Sequence, residues 1–235
     1  MSTIGILGAM DEEIELLLRD MSDKQEHVHA GIRFTGGLLH GREVMVCKSG
    51  VGKVNAAATT QILIDHFGAQ KVLFTGVAGA VDPKLNIGDI VISSSCQQHD
   101  MDVTPLGYSR GVIPYQEVSD FPADSSLIEL AKEACARNIQ SKNYLVGRVL
   151  SGDQFVASRD TVRNLYDTFQ GACVEMEGSA VAQVCHMNDV PYVVLRSMSD
   201  KADGSAHVNF AEFTAEASRR SYEILSDMVR HLELG

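Results

Sequence analysis

The chain is short of positive charge. Its 235 residues carry 20 Lys and Arg against 31 Asp and Glu, a formal net charge of −11, so a polyanion is repelled overall and nucleic acid is excluded as an expected partner. Paired cysteines are lacking too. Cys47, Cys96, Cys135, Cys173 and Cys185 are odd in number, scattered and without a CxxC spacing. That excludes a disulfide framework and points to buried thiols in a reducing, cytoplasmic compartment. No apolar run is long enough to span a bilayer, and no cationic leader is expected, because Asp11, Glu12 and Glu13 interrupt the first strand-like segment. Internal repeats, low-complexity tracts and interdomain linkers are missing, so one domain over 1–235 is expected. Hydrophobic residues make up 45% of the chain and charged residues 22%, ordinary globular composition with ample material for a core.

Short β-like runs alternate with helical patterns. "TIGILGAM" reads as a strand that delivers residues 10–13 to its carboxyl end, and "DEEIELLLRD" as an amphipathic helix with acids in its first turn. "RFTGGLLHGREVMVCKSG" gives two strands joined near Gly41, and "VNAAATTQILIDHFG" a helix stopped by Gly68. "KVLFTGVAGAV" is an apolar strand expected to run into a turn rich in Gly and Ala. After the strand "DIVISSS", a long loop from Gln97 to Asp124 holds three of the five prolines, too long to be mere connection. "SSLIELAKEACARN" is a helix, "LVGRVLSGDQF" a strand and turn, "GACVEMEGSAVAQVCHM" a strand into a helix, "PYVVLRSMSD" a strand, and a long helix closes the chain. This alternation predicts a largely parallel sheet covered by helices on both faces. In such folds ligands gather beyond the carboxyl ends of the strands.

Four polar stations fall at those ends: Glu12 with Glu13, the segment Gly76 to Gly79, "VEMEG", and Arg196 with Asp200. In an extended strand Arg196, Met198 and Asp200 share one side, which places a charge pair along a cleft. Glu175 and Glu177 sit between apolar neighbours, where burial is costly without partners. Each acid also has a plain structural explanation. Glu13 and Glu177 could simply open helices, and Asp200 could open a turn. "SGVGKVN" lacks the glycine spacing and the Ser or Thr of a phosphate-binding loop, and "GVAG" is no GxGxxG. His99, Asp100 and Asp102 in "QHDMDV" suggest a metal site, but without a second His cluster a loop-fixing role is preferred.

Taken together and in this order, "GILGAMDEEI", "KSGVGKVNAA", "TGVAGAV", "GDIVIS", "HDMDVT", "SGDQF", "VEMEGSAVA" and "LRSMSDKAD" resemble the bacterial 5′-methylthioadenosine/S-adenosylhomocysteine nucleosidases, from residue 4 to about residue 213. The resemblance implies the nucleoside phosphorylase/hydrolase superfamily and its three-layer α/β/α sandwich with a mixed central sheet. It also implies a cytoplasmic homodimer without cofactor or metal. Its substrate would be a small-molecule nucleoside of methionine salvage, methionine biosynthesis and quorum-sensing chemistry.

Residue by residue, the resemblance makes Asp200 the general acid that protonates nitrogen seven of adenine. An ordinary Asp, with a pKa of about 3.9, needs desolvation or hydrogen bonding to hold that proton. Glu13 activates water opposite an oxocarbenium-like ribose, and Arg196 holds Glu13 and the water. Glu177 accepts hydrogen bonds from both ribose hydroxyls, and Glu175 supports the water. Met176 packs on the sugar, Phe155 stacks on adenine and the Val156 backbone reads the base edge, although core packing alone would also account for Phe155 and Met176. Met10, Val51 and Phe210 shape the pocket for the sulfur substituent, and Ala78, Gly79 and Ser199 are further substrate-binding positions. Leu106, Tyr108 and Pro114 of the long loop reach the neighbouring subunit's pocket. Some relatives carry an aromatic where Leu106 stands.

Three other functions compete. A phosphorylase of the same superfamily needs arginines or anion-binding backbone for phosphate, whereas "AMDEE" places three acids at the first strand's end. A hydrolase of 6-amino-6-deoxyfutalosine in menaquinone synthesis would use the same machinery. A non-catalytic nucleoside sensor would not need an acid and a water activator together.

Overall fold

The computed structural model describes residues 3–139, 143–202 and 206–233. Among them, strands β1 (Thr3–Gly8), β2 (Ser22–His29), β3 (Ile32–Leu39), β4 (Arg42–Lys48) and β5 (Ala69–Ala80) enclose helices α1 (Asp11–Asp20) and α2 (Lys53–Asp65). β6 (Ile90–Gln98), β7 (Asp120–Pro122), α3 (Ser125–Asn138), β8 (Tyr144–Ser151), α4 (Arg159–Phe169), β9 (Gly171–Glu175), α5 (Gly178–Met187), β10 (Tyr192–Asp200) and α6 (Ala206–His231) follow.

Side-chain alternation along the strands builds the layers. Phe74, Val194 and Met198 join the core beneath α2 and α5, while Leu73, Val193 and Leu195 join the core beneath α1, α3 and α6. β5 and β10 are apolar along nearly their whole length because both faces are covered. The result is an α/β sandwich with helices on both faces of its sheet. The sheet is mixed, as the family resemblance implies, and less parallel than the strand–helix alternation alone predicts. Of ten strand pairings, β3 with β2 and β4, β10 with β6, β5 with β9, and β6 with β7 are antiparallel, the other five parallel. The pairings β5, β10, β6, β8, β9 and back to β5 also close a ring, so this part of the sheet forms a small barrel.

β5 joins the two parts. Its first half lies between β1 and β10, and its last two residues pair with β9. The expected turn at Gly76 to Gly79 is therefore strand, and its glycines serve close approach rather than chain reversal. A Cβ on Gly76 would lie 2.5 Å from Glu13 Oε1 and 2.8 Å from Arg196 Nη1, and one on Gly79 would lie 2.9 Å from Asp200 Oδ1.

The predicted long loop is shorter than read, because β6 continues to Gln98, a 3₁₀ turn occupies Thr104–Leu106, and β7 pairs with β6. β2 and α4 escaped the sequence reading. β2 is solvent-exposed along nearly its whole length and has no apolar alternation; pairing with β3 makes it a strand. All five cysteines are free and buried, and among the described residues no helix is long and apolar enough to cross a membrane.

Candidate active site

The carboxyl ends of β1, β5, β9 and β10 converge on a cavity of about 320 Å³. Its described lining includes Glu13, Glu175, Glu177 and Asp200 and contains no Lys or Arg. Met10, Val51, Phe155, Val156, Met176 and Phe210 supply apolar wall, and Ala78, Gly79 and Ser199 also border the space.

Glu13 stands in the first turn of α1 and is buried, unlike its exposed neighbours Asp11 and Glu12. Its Oε2 accepts the backbone N–H of Ala9 at 2.6 Å and of Met10 at 3.0 Å, and Oε1 accepts that of Val77 at 2.9 Å. Two lone pairs per oxygen leave Oε1 with room for one more donor, the position from which a water can be held. Burial pushes the Glu13 carboxyl above its ordinary value against the pull of Arg196 and the three N–H groups, a direction that suits a base working near neutral pH.

The sequence expectation for Arg196 needs correction. Its ion pair, at 2.5 Å, is with Glu175, not Glu13. Its guanidinium lies 4.0 Å from the Phe74 ring centroid, and it sits behind the cavity wall rather than in the lining. Burial opposes its charge, but Glu175, Glu13 and Glu177 outweigh that cost and hold it firmly protonated. Arg196 therefore reaches Glu13 through space while its direct bond goes to Glu175. Glu175 is occupied on every side: it also accepts from the Ser151 hydroxyl and from the N–H groups of Glu177 (3.2 Å) and Gly178 (2.8 Å). Those bonds cap α5 and leave Glu175 little capacity for a water.

Glu177 is the residue before α5, and its Oε1 accepts the Gly52 N–H at 2.8 Å. Burial first, then the nearby Glu175 charge, pushes its carboxyl up to about 8. Asp200 Oδ1 accepts the Ala202 N–H at 2.6 Å, and its Oδ2 lies 2.8 Å from Ser199 Oγ. Ser199 Oγ also lies 3.5 Å from the Ala78 carbonyl. One hydroxyl can thus donate to an ionised Asp200 or, turned to Ala78, accept the proton of a neutral one.

Strict alternation along β10 also fails where it matters. The register slips between Met198 and Asp200, so Ser199 forms a bulge. Met198 stays in the core, while Ser199 and Asp200 both border the cavity.

Phe155 is half-exposed at the mouth, with its ring edge-on to Phe210 at 5.8 Å. Leu106, Tyr108 and Pro114 are absent from this cavity's lining. Asp100 and Asp102 of the suspected metal motif are engaged instead: Asp100 pairs with Lys53 at 2.7 Å, and Asp102 accepts from the Thr104 hydroxyl at 2.7 Å. Among the described residues no group of three or more His, Cys, Asp or Glu could hold a metal ion. Phe74, Gly52 and Ser151 were missed as functional neighbours. "SGDQF" and "SGVGKVN" carried two of them, but only the fold shows which side chains they meet.

Comparison with known proteins gives the family. The model of the Phosphorylase superfamily matches residues 3–230. The 5′-methylthioadenosine/S-adenosylhomocysteine nucleosidase of Staphylococcus carnosus is 40% identical over 232 residues, covering 97% of this chain and 100% of the relative. The nucleosidase of Neisseria meningitidis, solved with methylthio-immucillin-A, superposes with a TM-score of 0.94 at 37% identity, covering 99% of this chain and 100% of that one. The futalosine hydrolase of Helicobacter pylori superposes equally well, at 0.94 and 39% identity, covering 98% of both chains.

Proposed function

The chain belongs to the Phosphorylase superfamily and, within it, to the 5′-methylthioadenosine/S-adenosylhomocysteine nucleosidase family, and from that premise we propose that it hydrolyses the N-ribosidic bond of 5′-methylthioadenosine, S-adenosylhomocysteine and 5′-deoxyadenosine. Asp200 gives its proton to nitrogen seven of adenine, and the C1′–N9 electron pair leaves with the base. Glu13 takes a proton from water through Oε1 as that water attacks C1′, with the Arg196 charge behind it. Glu177 holds the ribose hydroxyls through the oxygen not bonded to Gly52, and Glu175 positions Arg196 and α5. Met176 packs on the sugar. Phe155 and Val156 take the adenine, with Ala78, Gly79 and Ser199 alongside, and Met10, Val51 and Phe210 take the 5′ group.

The observation that carries hydrolysis over phosphorolysis is the lining: four carboxylates and, among the described residues, no cation. A phosphate dianion there would find no cation to hold it. A second substrate, 6-amino-6-deoxyfutalosine, is supported by the equal likeness to a futalosine hydrolase. The enzyme works as a single-domain cytoplasmic homodimer in methionine salvage and quorum-sensing chemistry. Leu106 (72% exposed), Tyr108 and Pro114 complete the partner's 5′ pocket, and the exposure of Tyr115 (95%) beside them supports that contact. The test is adenine release from each of these nucleosides, with and without phosphate. The expected product is the free 5-substituted ribose, a 5-thioribose from the two thioethers; a ribose 1-phosphate at millimolar phosphate would overturn hydrolysis.

A further inference from the structure

Helix α2 has no cap of its own. The residue before it, Gly52, carries no side chain and adopts φ +97°, a left-handed conformation that suits glycine alone. The free N–H groups of its first turn are met from far away in the sequence. Glu177 Oε1 accepts the Gly52 N–H at 2.8 Å, and Asp153 Oδ1 accepts the Lys53 N–H at 2.8 Å. A local serine or aspartate would satisfy such groups equally well. Caps from other segments do something more, since they fix where the helix start lies relative to the groups that cap it.

The bonds continue into a closed loop. Asp153 donates its own N–H to Asp100 Oδ2 at 3.0 Å, and Asp100 Oδ1 pairs with Lys53 Nζ at 2.7 Å. Lys53 Nζ also donates to Gln98 Oε1 at 3.0 Å. Both charges of the Lys53–Asp100 pair are 19% exposed, a depth at which desolvation offsets much of the attraction and stability alone is a poor reason for a pair. Burial would push the Asp100 carboxyl up, but Lys53 and the Asp153 N–H outweigh it and keep it ionised. The other titratable neighbour, His99, is buried and pushed toward its neutral form, so Lys53 is the cation that matches Asp100.

We infer that Lys53, Asp100 and Asp153 form a clamp that positions Glu177 for the ribose hydroxyls, by holding the Gly52 N–H on one Glu177 oxygen so that the other faces the substrate. The three are positioning residues, none of them in the cavity lining. The clamp joins the start of α2, the end of β6 and the segment after β8 that carries Phe155 and Val156, so it sets the ribose and adenine contacts in one frame. This inference rests on the ribose-holding role proposed for Glu177.

The experiment compares wild type with Asp100→Asn, Lys53→Met and Asp153→Ala on methylthioadenosine and on its 2′,3′-dideoxy analogue, which offers Glu177 nothing to hold. Misplacing a binding group by an ångström costs up to about a hundredfold, so each variant is expected to lose roughly 10- to 100-fold in kcat/KM on methylthioadenosine and less than about threefold on the analogue. Lys53→Arg, which restores the cation, is expected to recover most of the loss. Equal losses on both substrates would mean that the three residues only support the fold, and would overturn the clamp. A second readout needs no turnover: amide exchange at Gly52 is expected to quicken by about tenfold or more in Asp100→Asn, and unchanged exchange would also overturn the clamp. If wild type releases no adenine, the nucleosidase reading fails, while Gly52 exchange still decides the clamp.

Discussion

The floor and the mouth of the cavity are built on opposite principles. The floor is ionisable yet buried: Glu13, Glu175, Glu177, Arg196 and Asp200 are each less than a tenth exposed. Such groups survive there because each has partners on the same chain, from Glu13 with three backbone N–H groups to Glu175 with Arg196 and the α5 cap. The mouth is apolar yet exposed, with Val51 50% and Phe155 52% in solvent, and no described residue covers it. A floor preorganised within one chain suits chemistry. An uncovered apolar rim suits something that arrives, either a ligand or a second subunit.

Removing the floor's proton donor should have the largest effect. Asp200→Asn is expected to bind nucleoside nearly as wild type but to lose turnover by about a hundredfold to ten-thousandfold, the usual worth of general acid catalysis. Single-turnover kinetics read the loss, and a variant within roughly threefold of wild type would remove Asp200 from the role.

Next in size is the floor's ion pair. Glu175→Gln keeps the shape but leaves Arg196 without its direct counter-charge, which should cost about 3–5 kcal/mol of stability, or roughly 10 °C in melting temperature. A melting temperature equal to wild type would mean that Glu13 alone suffices to balance Arg196.

The mouth should respond more mildly. Ile113, an apolar residue of the same loop, proves buried in the core, so the exposed pair Leu106 and Tyr115 is the place to introduce charge. Leu106→Asp with Tyr115→Asp is expected to leave folding intact, to give a monomer in sedimentation, and to raise KM about tenfold, in line with ~1.5–3 kcal/mol for a lost apolar contact. A folded monomer with wild-type efficiency would make the mouth complete within one chain.

The smallest effect concerns pH. The Glu177 carboxyl lies at about 8 in the fold against an ordinary 4.5, so the folded chain binds more protons than the unfolded one across that interval. Stability of the free enzyme should therefore fall as pH rises from 4.5 to about 8. Glu177→Gln should flatten that fall and melt a few degrees above wild type at pH 8. Parallel melting curves for the two proteins between pH 5 and 8.5 would show that Glu177 does not hold its proton in the fold.

The sequence by itself determined the parts that depend on local order. Apolar runs marked β1, β4, β5 and β10, acids marked the start of α1, and the ordered motifs brought Glu13, Glu177 and Asp200 to strand ends; the α3 cap, expected from its serines, is Asp124. β2 left no such trace, because an exposed strand such as "SDKQEHVH" has no buried face to impose a period; α4 did carry one that went unread, Val162, Leu165, Tyr166 and Phe169 at helical spacing behind the Ser158 cap. The tertiary structure alone decided everything that depends on two distant segments meeting. It gave Arg196 to Glu175 rather than Glu13, kept the glycines of β5 extended under the side chains that press on them, and turned Asp200 into the cavity through a one-residue bulge. It also capped α2 with carboxylates 100 and 125 residues away. A period of two or 3.6 records which face a residue takes; which charge it meets there is a property of register and packing, and no local pattern carries it.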